Sequence, residues 1–329
     1  MNPQMKALLT RLPIVLVATA AVVGDAPADV SYPERTIKII AGFPPGSAPD
    51  TAARLIGEKL QAAWGKPVII ENTTGAGGNI AADRVAKSAP DGHTLLMAGN
   101  AAIIVNLNLY EKLPYDPVKD LEPVSQVSMT PNVLALHPDV PAKSVAELVA
   151  LARAQPDGLT YAHGGAGISQ HLAGELFKHM AGLTIRPVGF RGAALIMPEI
   201  LAGRVNFCFC NITNVLPLSS EGKLRALAVT SLKRSPAAPE LPTMDESGFP
   251  GFHATAWFGL MAPAGTPPTI IEKLHAATVK ALAAPDLRAK FDAVGMEAIG
   301  NTPAEFAAVI KTEIPYWEKV MKAIGLKLK

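Results

Sequence analysis

Residues 36–64 read TIKIIAGFPPGSAPDTAARLIGEKLQAAW, and this stretch sets the fold. Its first eight residues are an apolar, β-branched run of strand length, and PPGSAPD is a string of turn and cap residues. From Thr51 to Trp64 the chain carries helix formers, with Leu55, Ile56 and Leu60 on one face. The unit is strand, loop, helix, and it recurs. Residues 68–71 lead through a glycine loop into a helix over 80–87, and residues 94–98 lead into a short helix near Asn106. After a strand-like segment at 131–138 a second series begins, with helices expected over 144–154, 169–180 and 193–202 and strands over 160–162, 186–190, 205–210 and 224–230. A strand returns at 257–262, followed by amphipathic stretches at 268–283 and 303–324. Alternation of this kind implies mostly parallel sheets flanked by helices. Two such series predict an α/β fold of two lobes with a cleft between them. Residues 29–130 plus 235–329 would build one lobe and 131–234 the other.

Composition narrows the function. The chain has 329 residues, 49% hydrophobic and 18% charged, which excludes a disordered chain and suits two domains. Thirty basic against 28 acidic residues leave a net charge of +2, so the basic footprint of a nucleic-acid binder is missing. Aromatic residues at 5% argue against stacking platforms for bases or sugars. Lys6 and Arg11 precede an apolar run over residues 12–23, and Ala26-Pro27-Ala28 forms a small-x-small cleavage pattern. Residues 1–28 therefore read as a secretory signal, too short in its apolar core to span a bilayer. The mature protein is expected outside the cytoplasm, in the periplasm. Two cysteines make neither a disulfide framework nor a four-ligand zinc site, and no metal or cofactor is expected. Cys208 and Cys210 share one face of a strand. Two buried free thiols are expected there, a strained local disulfide being the alternative.

The chemistry is carried by glycine loops. Three of them, around Pro44 to Asp50, Gly75 to Asn79 and Gly164 to Ser169, leave a strand and open a helix, where free backbone N–H groups and the helix dipole suit an anion. Glycine also serves plain turn geometry in such loops. Three together, at the carboxyl ends of strands, favour a ligand site. Asp50 reads as an N-cap. Arg191 could pair with a carboxylate or remain a surface arginine, and His171 suits a site-lining or capping role. The glycines of residues 68–82 only approximate a dinucleotide fingerprint, with Ile80 at the third glycine position, and no GxxxxGK[ST], GxSxG or HExxH motif is present.

Four ordered segments carry a resemblance: FPPGSAPD, IIENTTGAGGNIAADRVAKSAPDGHTLLMAGN, LTYAHGGAGISQHLAGELF and ELPTMDESGFPGFHATAWFGLMAPAGTPPTIIEKL. They resemble the periplasmic solute-binding proteins of tripartite tricarboxylate transporters, the Bug receptors, over nearly everything after the signal peptide. The resemblance implies a two-lobed Venus-flytrap fold that binds a small carboxylate, amino acid or aromatic acid through backbone amides and ordered waters. It implies handover to a two-component membrane permease, and a monomer is expected. By position it implies ligand contacts at Phe43, Gly46, Ser47 and Asp50, at Ala76, Gly77 and Gly78, and at Asn100 and Ala101. From the second lobe it implies Gly164, Gly167, Ser169, His171, Phe190, Arg191 and Asn206. Phe190 stands where the family has tyrosine, Asn206 where it has aspartate, and Thr73 where it has arginine, which argues against assuming an amino-acid ligand. Two competing functions are a receptor presenting its ligand to a membrane sensor kinase and a periplasmic enzyme using His171 and Arg191.

Overall fold

The protein is described by a computed structural model that covers residues 31–326; the signal-peptide reading of residues 1–28 lies outside the described residues. The founding unit forms as its sequence dictates. Strand β1 (Ile37–Ala41) buries Ile37, Ile39 and Ile40 completely, each worth about 1.5–3 kcal/mol relative to exposure. Helix α1 (Ala48–Trp64) begins one turn earlier than the helix formers suggest, because Pro49 suits a first helical turn, and Gly65 ends it in the left-handed conformation. Then follow β2 (Val68–Asn72), α2 (Asn79–Ala86), β3 (Thr94–Gly99) and a short α3 (Asn106–Leu109). Strand β4 (Leu121–Thr130) leads across Pro131 into β5 (Asn132–Leu136).

The second series is α4 (Val145–Ala154), β6 (Thr160–His163), α5 (Ser169–Ala181), β7 (Arg186–Gly189), α6 (Ile196–Leu201), β8 (Phe207–Asn211), α7 (Ile212–Ser220) and β9 (Arg225–Val229). The chain then returns through β10 (Ala256–Pro263), α8 (Pro268–Ala283), α9 (Pro285–Ala293), β11 (Glu297–Ala298) and α10 (Pro303–Ile324). A capping box starts α10, with Thr302 and Glu305 exchanging side-chain and backbone bonds.

The strands form two sheets, in the orders β11-β4-β10-β3-β1-β2 and β7-β6-β8-β5-β9. The fold is α/β and two-lobed, as the alternation predicts. In the first sheet β1, β2, β3 and β4 run one way while β10 and β11 oppose them. In the second, β5 alone opposes β6, β7, β8 and β9. The reversed strands β5 and β10 are those entered directly from the other lobe, so each sheet is mixed rather than purely parallel.

The two crossings are tied together by buried polar groups. Thr230 Oγ1 accepts from Asn132 N at 3.0 Å and donates to Ala254 O at 2.9 Å, and Asn132 Nδ2 donates to the same carbonyl at 3.0 Å. One continuous apolar cluster holds Ile40 and Leu96 of the first sheet, Tyr161 and Phe207 of the second, and Trp317 and Met321 of α10. Trp257 is core: it is 1% exposed, donates Nε1–H to Glu313 Oε2 at 3.0 Å and packs edge-on against Phe306.

The cysteines correct the expectation of free thiols. Both are fully buried on β8 and are joined as a disulfide, the strand bringing their Cα atoms to 5.4 Å, inside the range that a disulfide bridges. Two extended residues would span about 6.6 Å, so the backbone is drawn in locally.

Candidate functional site

The strands that share a direction in each sheet end, at their carboxyl ends, on a common cleft, the place where open α/β sheets receive ligands. Phe43, Pro44, Gly46 and Ser47 come from the loop after β1, Ala48 and Pro49 from the first turn of α1, and Asn100 and Ala101 from the end of β3. Facing them are Gly164, Ile168, Ser169 and Gln170 after β6, Gly192, Ala193 and Ala194 after β7, Asn211 at the end of β8 and Asn214 in the first turn of α7. Ala256 and Phe258 of β10 complete the wall, Phe258 meeting Phe43 edge-on with ring centroids 6.3 Å apart. The atom-free space of the cleft, counting the open solvent at its mouth, is about 660 Å³.

The lobes touch around it. A methyl group on Gly192 would stand 3.1 Å from Pro44 Cγ, and one on Gly167 would stand 2.4 Å from Leu109 Cδ2 and 2.9 Å from Asn106 Oδ1. The lobes are therefore in contact beside the cleft in this conformation.

Among the described residues, none of those lining the cleft is acidic, basic or a histidine. The polarity comes instead from neutral donors. Helices α1, α5 and α7 point their N-termini at the space, and the first turns of α1 and α5 leave the amides of Ala48, Ser169 and Gln170 without an intrahelical acceptor. Asn211 Nδ2 is buried and has no hydrogen-bond partner. Such a site can hold an anion by oriented dipoles at no cost in burying a fixed counter-charge.

Asp50 lies behind this surface. It is 2% exposed; its carboxylate accepts Gly46 N–H at 2.9 Å, Asn72 Nδ2–H at 2.8 Å and both Arg54 Nε and Nη2 at 3.0 Å. Burial alone would raise its pKa, but these bonds outweigh it and hold the carboxyl below the ordinary carboxylate value. Asn72 Nδ2 also donates to Phe43 O at 2.9 Å, so one buried carboxylate and one amide fix the Phe43–Ser47 loop from beneath.

Of the residues the sequence singles out, the structure brings Phe43, Gly46, Ser47, Asn100, Ala101, Gly164 and Ser169 together on the cleft wall. Others lie off it. Gly78 backs the Phe43 ring, while Ala76 accepts Asn106 Nδ2–H at 3.4 Å and Gly77 faces Ala166 of the opposite lobe. His171 accepts Gly167 N–H on Nδ1 at 3.1 Å, its ring 4.2 Å from that of His163. Burial, aided by the neighbouring His163, lowers the His171 pKa to about 4, so it is neutral and a fixed acceptor at neutral pH. Phe190 and the exposed Arg191 precede the lining Gly192, and Asn206 Oδ1 accepts from Thr160 N and Oγ1 at 2.8 and 3.0 Å, bracing β6 against β8. Gln170, Asn211 and Asn214 also line the cleft, and no local motif marks them in the sequence as glycine marks the loops. The helix-starting ITNVLP after the strand ending in CFCN was the signal that could have found the last two.

Residues 52–326 match the tripartite tricarboxylate transporter family receptor. BugT from Bordetella pertussis is 38% identical over 325 residues, spanning 98% of this chain and 99% of that protein. Among solved structures, R. palustris Rpa4515 with adipate superimposes with a TM-score of 0.86 at 35% identity, covering 90% of this chain and all of the other. MatC (Rpa3494) from Rhodopseudomonas palustris with bound malate gives 0.82 at 34% identity, covering 88% and 99%. With its two lobes, its uncharged cleft and these relatives, the chain belongs to the tripartite tricarboxylate transporter receptor family, that of the Bug solute-binding proteins.

Proposed function

We propose that this protein captures a small organic acid in the cleft between its lobes, outside the cytoplasm, and delivers it as a monomer to a two-component membrane permease. The observation that carries the reading is the cleft wall itself: helix N-termini and neutral amides, with no charged side chain among the described residues lining it. Two relatives of known structure, one with adipate and one with bound malate, carry carboxylates, which supports this class of ligand. Export is supported by the sequence of residues 1–28, and no helix among the described residues is long and apolar enough to cross a membrane.

The ligand would contact the residues lining the cleft, Phe43, Gly46, Ser47, Asn100, Ala101, Gly164 and Ser169 among them. Asp50, Gly167, His171 and Asn206 would act by holding those loops. Binding is favoured over turnover because His171 Nδ1 is already taken by Gly167 N–H and Arg191 lies outside the lining. The lobes would part about the crossings at Thr130–Asn132 and Thr230–Ala256 and close on the ligand.

The test is a thermal-shift screen of mono-, di- and tricarboxylates and aromatic acids, with every hit repeated as its methyl ester. An acid at 100 times its Kd stabilises the folded state by about 2.7 kcal/mol, a rise of several degrees in Tm. The ester should lose most of that rise. Equal shifts from acid and ester, or no shift with any acid, would overturn the carboxylate reading. Loss of uptake on deleting the gene supports transport; loss of a ligand-induced transcriptional response with uptake intact would favour the sensor-kinase reading.

A further inference from the structure

Resting on the carboxylate reading above, we infer that Gly164, Gln170 and Asn211 form a directional hydrogen-bond relay that presents a fixed donor to the ligand at the second-lobe end of the cleft. The ligand group seated there must then accept hydrogen bonds, and Asn211 and Gln170 determine that specificity.

One member of the relay has a polarity that admits no choice. A backbone N–H can only donate, and Gly164 N–H donates to the Gln170 side chain at 3.0 Å, so the atom receiving it is the carbonyl Oε1. The Gln170 amide, 1% exposed, is thereby oriented with Nε2 on its other side. Nε2 donates to Asn211 at 3.3 Å, which in turn fixes the accepting atom as Oδ1. Turning Asn211 over would set Nδ2 against Nε2, two donors face to face. What remains at the end of the chain is Asn211 Nδ2, buried without a partner on a residue that lines the cleft. A buried amide donor left unbonded is costly, and the group that relieves it is a ligand acceptor. A second unbonded amide atom, Asn132 Oδ1, lies opposite Asn211 in the β5–β8 register, and no hydrogen bond joins the two.

This polarity sorts ligands that share a carboxylate at one end and differ at the other. A second carboxylate offers lone pairs to Nδ2–H. A methyl group leaves the donor unbonded, and an ammonium group opposes a donor while no acidic side chain of the cleft lining is there to receive it. The relay also makes Gln170 a positioning residue. In Gln170→Glu the carboxylate still accepts from Gly164 N–H, but its second oxygen accepts as well, so Asn211 turns Nδ2 towards it and Oδ1 towards the ligand. In Gln170→Met the relay is cut without adding charge, and Asn211 is free to present either atom.

The experiment is calorimetric titration of wild type, Gln170→Glu, Gln170→Met and Asn211→Asp with adipate, hexanoate and 6-aminohexanoate, with melting curves showing that each variant is folded. Wild type should bind adipate most tightly and 6-aminohexanoate most weakly, the two differing by at least about 10-fold. Gln170→Glu and Asn211→Asp should weaken adipate by about 10- to 100-fold and reverse its preference over 6-aminohexanoate. Gln170→Met should bring the preference towards unity. A wild-type preference for 6-aminohexanoate, hexanoate binding as tightly as adipate, or a preference unmoved in Gln170→Met would each overturn the relay. The same holds if Asn211 spends its donor on Asn132 Oδ1, since Gln170→Met, which adds no charge to the cleft lining, would then rank the probes as wild type does. None of these outcomes touches the carboxylate reading, which falls only if no acid binds or the esters bind equally.

Discussion

Gly167→Ala should loosen ligand binding far more than it loosens the fold, because the glycine is where one lobe closes on the other. Gly167 sits at φ +78°, and a Cβ built there stands 2.4 Å from Leu109 Cδ2 and 2.9 Å from Asn106 Oδ1. Neither neighbour can retreat easily: Leu109 is 1% exposed, and Asn106 is fully buried with its Nδ2 donating to Asn79 Oδ1 at 2.6 Å. The left-handed backbone costs alanine about 1–2 kcal/mol whether the cleft is open or shut. The collision costs a further amount, about 1–3 kcal/mol by analogy with overpacked cores, and only when the lobes are together. A ligand that binds the closed state must overcome that second amount, so affinity should fall about 5- to 150-fold. Gly165→Ala is the control. It lies in the same loop at φ +147° with nothing within 4 Å of a new Cβ, so it should lose stability and keep affinity. Leu109→Val in the Gly167→Ala background removes the colliding methyl and should restore much of the loss. Titration calorimetry gives the affinities, and small-angle scattering should show the Gly167→Ala protein failing to contract with ligand. If Gly167→Ala binds as wild type does, or Leu109→Val restores nothing, the lobe contact does not govern closure.

Three further outcomes follow from the same geometry. Asp50→Ala should lower Tm by several degrees and weaken binding, since it frees Gly46 N–H, Arg54 and Asn72 at once, and hydrogen bonds to a charged group are worth about 1.5–3 kcal/mol each. Because the Asp50 pKa is held down in the fold, its contribution is present above the ordinary carboxylate value, declines below it and is gone once the pH has fallen through the lowered value, which melting curves of the two proteins would show converging in acid. His171 behaves in the same direction for a different reason: its pKa is lowered from 6.5 to about 4, so the unfolded chain binds the proton first and stability falls as the pH drops from 6.5 towards 4. About 3 kcal/mol hangs on that shift, and His171→Asn, which keeps an acceptor for Gly167 N–H, should flatten the slope of Tm against pH in that window. Finally, the protein denatured without reductant should show no titratable thiol, and two free thiols would remove the Cys208–Cys210 bond.

The sequence made most of the frame legible because its strands are apolar and its helices are capped by local chemistry. Residues 268–283 and 303–324 were readable to the residue as α8 and α10, each opening on proline, and α10 on a Thr302–Glu305 capping box. Strand β4 was not readable. Its interior holds Ser125, Gln126 and Ser128, polar residues that local pattern rules assign to a loop. They are satisfied by partners far along the chain, Ser125 Oγ donating to Asn301 O at 2.8 Å and Gln126 N to Asn301 Oδ1 at 2.8 Å. The site divides in the same way. Loops announced by glycine after a strand were found, but which of their residues face the cleft was not, because that depends on contacts between lobes. Gly167 meets Leu109, more than fifty positions earlier, and Asp50 turns to Asn72 and Gly46 rather than to the cleft. Asn211 was hidden for a third reason: its polarity is set by Gln170, in the first turn of α5.

The most direct test of a carboxylate held by neutral donors between the lobes is a crystal structure with the tightest acid from the screen. The ligand should lie between the Phe43–Ser47 loop and Asn211, with each carboxylate oxygen about 2.7–3.2 Å from backbone amides, asparagine amides or bridging waters and with no lysine or arginine at that distance. An acid bound outside this cleft, or one whose carboxylate is paired with a lysine or arginine, would contradict it.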